Sequence, residues 1–217
     1  MNQSTRFGFS DPNDACPVTP ELDSIQMALR ILPLLGILVA LILFGVAASL
    51  HPGGFDWNRD YLSTLLRADS SPARTLAIAG MLVLCASIAC VFQRLARAAG
   101  SSRSSKVIQI GGIGSMIYAS LAFTPMHDLM VAISLIFFLA AVLALLQALY
   151  LSRRMGFLAT GSVCLVVLLA SATMYYAGEY VVALPWAQRA SFALFSAWLV
   201  SLDFAVPRLR PGNHEPA

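Results

Sequence analysis

The chain has 217 residues, of which 58% are hydrophobic and 12% are charged, and its formal net charge is +3. Its mean hydropathy is +0.75. A soluble domain would carry about twice this share of charged residues, so the composition excludes an ordinary soluble domain. The basic residues form no clustered basic face, so no nucleic-acid partner is expected.

Six long apolar runs fill the chain between residues 31 and 204. Each has roughly the ~20 residues that a helix needs to cross a ~30 Å hydrocarbon core. The runs are continuously apolar, without the alternation of a barrel strand. We therefore predict an all-α, polytopic membrane bundle of about six transmembrane helices. The expected spans are 31–50, 75–95, 107–124, 129–151, 156–176 and 187–204.

Polar segments flank the runs and divide the chain. We expect a cytoplasmic N-terminal tail over residues 1–28, which runs into a helix capped by Thr19-Pro20. The transmembrane domain then covers residues 29–206, and a cytoplasmic C-terminal tail covers 207–217. Ser71-Pro72 predicts the start of the second span, as the N-cap and the first helical residue. Pro185 lies similarly just before the sixth span.

The arginines and the lysine predict the orientation of the bundle. Roughly ten of the 14 fall on the side of the two termini and four on the other side, so both termini are predicted to be cytoplasmic in a multi-pass protein of the cell membrane. The cytoplasmic set is Arg6, Arg30, Arg94, Arg97, Arg103, Lys106, Arg153, Arg154, Arg208 and Arg210. The outer set is Arg59, Arg67, Arg74 and Arg189.

Small residues predict how the helices pack. Gly111, Ser115 and Ala119 share one face of the third span, which we therefore expect in the middle of the bundle. Gln93, Gln109 and Gln147 lie near the cytoplasmic ends of their spans, where we expect either interhelical hydrogen bonds or snorkelling to the membrane surface.

The first external loop, residues 51–67, holds the most unusual composition. We predict an amphipathic helix over residues 58–67, capped by Asn58, lying across the outer end of the bundle with Leu62 and Leu65 or Leu66 inward. Its polar stripe consists of Asp56, Asp60, Ser63 and Arg67.

Two further outer segments, residues 125–128 and 179–189, carry ionisable groups at the same membrane level as the external loop. A structural ion pair of Arg189 with Asp60 or Asp128 is one interpretation, because buried charges must pair. The other is a polar pocket, open to the outer leaflet, that holds a lipid head group. The candidate ligand-binding residues are Asp56, Arg59, Asp60, Tyr61, Ser63, His127, Glu179, Gln188 and Arg189.

Residues 54–63 read Gly-Phe-Asp-Trp-Asn-Arg-Asp-Tyr-Leu-Ser. This segment resembles the first-loop motif of a prokaryotic integral-membrane family catalogued as domain of unknown function 998, Gly-Tyr-x-x-x-Arg-Asp-Tyr-x-Ser-x-Leu-Gly. Leu66 stands where that family has its final Gly. His127 matches the family's His in the turn before the fourth helix, and Gln188-Arg189 matches the Gln/Glu-Arg pair that begins its last helix. The resemblance, with a more distant similarity to the Frag1/DRAM/Sfk1 group, implies a six-helix fold and no established reaction.

Several activities are compatible with the outer residues. Ser63, His127 and Asp60 or Asp128 have the residue types of a Ser-His-Asp hydrolase but lack a Gly-x-Ser-x-Gly elbow. A zinc site would need His51 and His127 with one of these carboxylates. A b-type haem between His51 and His127 is a minor alternative. A retinal pigment is excluded, because the only lysine, Lys106, is expected in a cytoplasmic loop.

The hypothesis that we favour is a non-enzymatic lipid-binding, sensing or assembly component with a polar pocket at the outer leaflet. The alternative is a membrane-embedded lipid-modifying hydrolase that uses Ser63, His127 and Asp60 or Asp128, so the sequence leaves open whether the protein is an enzyme. No metal or cofactor is expected. The expected partners are membrane lipids, with a membrane-protein partner or a second copy of the chain as a further option.

Overall fold

A computed structural model describes residues 20–67, 71–100, 103–178 and 182–205, with the backbone alone for residues 20–30. Within these ranges the chain forms seven α-helices and no strand. The helices are α1 (Pro20–Ser49), α2 (Leu62–Arg67), α3 (Pro72–Ala98), α4 (Arg103–Ser120), α5 (His127–Leu151), α6 (Met155–Ala177) and α7 (Leu184–Ala205). The all-α prediction is confirmed for the described part of the chain.

Four of these helices are long and apolar enough to cross a membrane, namely α1 over Ile31–Ser49, α3, α5 and α6. Four such helices in an all-helical chain are compatible with an integral membrane protein. In α4 the first two turns contain Arg103, Lys106 and Gln109, and α7 contains Arg189 and Asp203. These polar residues lower the hydropathy of both helices, so the six predicted spans are not established.

Large apolar side chains on the outward faces of the long helices are exposed. Ile136 of α5 and Val166 of α6 are 68% and 66% exposed, and Leu32 and Leu41 of α1 are each 60% exposed. A water-soluble protein rarely leaves so much contiguous apolar surface uncovered. These surfaces are compatible with an integral membrane protein.

The central helix of the bundle is α3, which contacts α1, α2, α4 and α7. It approaches α4 closely, because a Cβ added to Gly112 would lie 2.2 Å from Phe92 Cγ. The predicted central position of α4 is therefore only half right. Its Gly111–Ser115 face is buried, but Ile110 and Ile117 on another face are 64% and 55% exposed.

Signals at helix starts located several boundaries correctly. Ser71 is the N-cap of α3, where its hydroxyl accepts a hydrogen bond from the Arg74 amide at 3.3 Å, and Pro72 follows it. The helix expected after Thr19-Pro20 begins at Pro20, so residues 20–28 are helical although they were assigned to the N-terminal tail. The rest of that tail, residues 1–19, and the C-terminal tail lie outside the described residues.

Helix α4 is shifted by four residues toward the N-terminus relative to the third predicted span. Helix α4 begins at Arg103, so Lys106 lies in its first turns and not in a loop. The helix ends at Ser120, four residues before the predicted end, because residues 121–126 form turns that connect it to α5.

The two ends of the bundle are named after the predicted orientation. The outer end is the one that holds residues 51–67, and the opposite end is the inner end.

Candidate functional site at the outer end

Side chains within the external loop build a turn where a helix was expected. Asp60 Oδ2 accepts a hydrogen bond from the Asp56 amide at 2.8 Å, and Asp56 Oδ1 accepts one from the Asn58 amide at 2.8 Å. Such aspartate bonds to nearby amides favour turns over helix. The helix therefore begins at Leu62, and the predicted amphipathic helix over residues 58–67 is not established. Leu65 and Leu66 are buried, as expected.

Arg189 of α7 holds this loop against the bundle. Its guanidinium donates hydrogen bonds to the backbone carbonyls of Trp57 and Asp60. Its Cζ also lies 5.4 Å from the centre of the Trp57 ring and 5.6 Å from that of Trp186, both within cation–π range. The sequence analysis did not include either tryptophan among the site residues, although both lie in the outer segments.

The expected ion pair of Arg189 is not found. Among the described residues, no carboxylate lies within 4 Å of its guanidinium. The physical reason is local, because the Asp60 carboxylate is already used inside the turn and the carbonyls of the same turn are available as acceptors.

Asp128 belongs to a second polar cluster, which joins α2, α5 and α6. Arg67 Nη2 donates to Asp128 Oδ1 at 3.3 Å, and the Tyr175 hydroxyl donates to the same oxygen at 2.8 Å. The Arg67 and Asp128 side chains are 56% and 69% exposed, so this pair contributes little to stability. Asp128 was one of the two candidate partners of Arg189, and it pairs with Arg67 instead.

His127 has a structural partner. Its Nδ1 lies 2.5 Å from the Ala122 carbonyl, and because a carbonyl only accepts, Nδ1 carries the proton. In a Ser-His-Asp triad that proton would be donated to a carboxylate. Among the described residues, no hydrogen bond joins Ser63, His127 and Asp60 or Asp128. Their catalytic role stays a prediction.

The other predicted residues contribute less to a site. Arg59 is 85% exposed and lies 3.9 Å from the Asp56 carboxylate. Tyr61 and Ser63 are half-buried at the start of α2. Glu179 lies outside the described residues.

Among the described residues, four polar atoms at the outer end are buried without a hydrogen-bond partner: His51 Nδ1, Arg74 Nε, Gln188 Oε1 and Arg189 Nε. They lie just after α1, in the first turn of α3 and near the start of α7, and these three helices contact one another. Buried polar groups are almost always hydrogen-bonded, so such atoms are candidates for binding a water, an ion or a ligand. His51 and Arg74 were not among the predicted ligand-binding residues, although both flank outer ends of apolar runs.

A buried ion pair at the inner end also escaped the sequence analysis. Arg94 Nη2 of α3 lies 2.9 Å from Asp203 Oδ2 of α7, and the Asp203 side chain is only 4% exposed. In the same region Gln109 Nε2 donates to Gln93 Oε1 at 2.8 Å, which confirms the interhelical hydrogen bond expected there. Asp203 was missed because it lies within an apolar run.

The part of the chain that the structure describes contains no group of three His, Cys, Asp or Glu side chains that could hold a metal ion. No family model, no curated protein and no solved structure matches the chain. The resemblance to the family of unknown function 998 therefore stays a hypothesis.

Proposed function

We propose that this protein is a six-span protein of the cell membrane that binds a phospholipid head group at its outer end without catalysing a reaction. The observation that carries the proposal is the set of four buried, unpartnered polar atoms at that end. The family resemblance belongs to the same proposal. Its two most specific segments, the 54–63 motif and Gln188-Arg189, are joined by the Arg189–Asp60 hydrogen bond.

The packing of α7 supports its assignment as a membrane span. The Ser171 and Ser191 hydroxyls are 2.9 Å apart, and Trp198 Nε1 donates to the Phe157 carbonyl at 3.0 Å. These two contacts, 14 positions apart on α6 and seven on α7, mean that α7 runs antiparallel to α6. Helix α6 is long and apolar enough to cross a membrane. Its close neighbour α7 then lies at the same depth.

The packing of α4 leads to the same conclusion. Gln109 contacts Gln93 of α3, and the Ser115 and Ser134 hydroxyls of α4 and α5 lie 3.2 Å apart. Helix α4 is thus enclosed on two sides by helices that qualify as spans. With α4 and α7 included, six spans place both termini on the side that carries most of the arginines, which is the cytoplasmic side by the positive-inside rule.

The unpartnered atoms have the chemistry of a phospholipid site. Arg74 Nε and Arg189 Nε are charged donors, which bind phosphate oxygens strongly. Gln188 Oε1 is an acceptor, suited to an ammonium or hydroxyl group of the same head group. Each of these groups costs roughly 1–3 kcal/mol when buried without a partner, so a ligand that supplies one gains that energy.

Gln188→Leu tests this proposal because it removes the unpartnered acceptor and keeps the size of the side chain. The protein is purified in detergent, and its binding of phosphatidylethanolamine is measured by native mass spectrometry. We expect binding to weaken roughly 5- to 10-fold, as for the loss of one hydrogen bond of about 1–1.5 kcal/mol. Arg59→Gln, which changes an exposed charge in the same loop, serves as the control.

Unchanged lipid binding by Gln188→Leu, together with higher thermal stability, would contradict the proposal. If the four atoms only hold ordered water, Gln188→Leu leaves phosphatidylethanolamine binding unchanged and raises thermal stability, since it removes an unsatisfied buried group.

A further inference from the structure

A groove runs along the outside of the bundle between α4 and α5, toward the inner end. It consists of two adjoining hollows of about 430 and 230 Å³, both lined by Ile110 and Phe137. The lining is otherwise Arg103, Lys106, Val107, Gln109, Gly111, Ile113, Gly114, Ile117 and Ala140. The groove is open on its lipid-facing side and does not include any residue of the outer site.

The floor of the groove forms where two glycines of α4 approach α5 closely. Gly111 and Gly114 face α5 so closely that an added Cβ would lie 2.8 Å from the Phe137 carbonyl oxygen and 2.9 Å from the Phe137 ring, respectively. The apolar residues Ile110 and Ile117 border this floor and are 64% and 55% exposed. From residue 107 to residue 117 the groove is about 15 Å long at 1.5 Å per residue, which is half of a ~30 Å hydrocarbon core.

The inner end of the groove is positively charged. Arg103 and Lys106 are three positions apart on α4, so they project from the same face as Val107 and Ile110. Both side chains are exposed, and no described carboxylate lies within ion-pair distance of either. The two cations thus lie at the inner end of an apolar groove that is as long as one leaflet is thick.

We infer that this groove binds an anionic phospholipid of the leaflet at the inner end. One acyl chain lies along Ile110, Gly114 and Ile117, and the phosphate lies between Arg103 and Lys106. Basic sites between membrane helices at this level favour anionic head groups. The charge complementarity distinguishes this occupant from a zwitterionic lipid, and the inference does not depend on the outer site.

The test compares phosphatidylglycerol with phosphatidylcholine by native mass spectrometry of the full-length protein in detergent. We expect the unmodified protein to retain phosphatidylglycerol preferentially. In the Arg103→Gln/Lys106→Gln variant that binding falls roughly 30-fold, from two cations at about 1 kcal/mol each and 1.4 kcal/mol per tenfold. The Arg97→Gln/Arg153→Gln control removes two exposed charges at the same end outside the groove, and its binding stays within about threefold.

A second variant tests the apolar part. Ala140 is exposed and lines the groove, so Ala140→Phe fills it without disturbing the core. It weakens phosphatidylglycerol binding, whereas Val163→Phe on the exposed face of α6 does not. Soluble glycerol phosphate, which has no acyl chain, leaves phosphatidylglycerol binding unaffected.

Three results would overturn the inference. The first is equal retention of both lipids, and the second is unchanged phosphatidylglycerol binding by the Arg103→Gln/Lys106→Gln variant. The third is a dimer of the unmodified protein that Ala140→Phe dissociates, because the groove would then hold a second copy of the chain.

Discussion

Arg189 and Trp57 lie 132 positions apart in the chain and contact each other twice. The guanidinium donates to the Trp57 carbonyl, and its Cζ lies 5.4 Å from the centre of the indole ring. With the second bond, to the Asp60 carbonyl, these contacts fix the loop that covers the outer end. This arrangement gives Arg189 a structural role beside any part in ligand binding.

Replacement of Arg189 is therefore expected to loosen the loop. Arg189→Ala removes two charge-assisted hydrogen bonds and two ring contacts, and we expect it to lower the free energy of unfolding by roughly 2–4 kcal/mol. Arg189→Lys keeps the charge but lacks the planar fork whose two nitrogens each reach one carbonyl, so it recovers only part of the loss. Thermal denaturation in detergent measures both. Arg59→Ala changes an 85% exposed side chain and should alter the free energy of unfolding by less than about 0.5 kcal/mol. If it lowered stability as much as Arg189→Ala does, the result would argue that Arg189 does not hold the loop in place.

The two ion pairs between helices should differ sharply in their contributions to the free energy of unfolding. Asp203→Ala removes the buried carboxylate that pairs with Arg94, and the loss of one member of a buried ion pair typically costs about 3–5 kcal/mol. Asp128→Ala breaks the exposed pair with Arg67 and the bond from Tyr175, and it should cost about 1 kcal/mol. Denaturation midpoints of the two variants, compared side by side, check this order. Equal midpoints would mean that the Arg94–Asp203 pair is not structurally important.

A pair of glycine variants tests helix packing. A Cβ at Gly112 would lie 2.2 Å from Phe92 Cγ, so we expect Gly112→Ala to force α3 and α4 apart and to cost about 1–3 kcal/mol. A Cβ at Gly45 has nothing within 4 Å, and Gly45→Ala should be neutral or stabilising by about 0.5–1 kcal/mol. Thermal unfolding of both proteins separates packing from helix propensity. Similar losses at the two positions would refute the close α3–α4 contact.

Membrane topology is open to a direct test. Because roughly ten of the 14 basic residues lie on one side of the six proposed spans, we expect that side to be cytoplasmic. A reporter that is active only in the external compartment, fused after Ala217, should be inactive. The same reporter inserted after Gly54 of the external loop should be active. The reverse pattern would show that the orientation is wrong.

Local signals explain which features could be predicted from the sequence. Ser71-Pro72 determines the start of α3 through its own hydroxyl and ring, so it could be read without the fold. The start of α2 was misjudged because Asp56 and Asp60 are compatible with a helix stripe and with a turn, and only the loop as a whole decides between them. The partner of Arg189 could not be inferred, because backbone carbonyls also accept hydrogen bonds from a guanidinium, and the sequence does not show which carbonyls lie near it.

Features that depend on three-dimensional proximity were missed. Asp203 is one charge in an apolar run, and its burial becomes comprehensible only when Arg94 is seen 2.9 Å away on another helix. The end of α4 at Ser120 depends on the turn that the His127–Ala122 hydrogen bond closes. The α4–α5 groove arises from two helices together, so no single segment indicated it.

The central claim is that the outer end binds a phospholipid and does not transform it. The most direct measurement follows binding and product formation together, with purified protein and phosphatidylethanolamine as the probe. We expect the unmodified protein to bind the lipid without releasing products, Gln188→Leu to bind it more weakly, and Ser63→Ala to bind it normally. Product formation by the unmodified protein that is lost in Ser63→Ala or His127→Ala would contradict the claim, since members of a catalytic unit fail together.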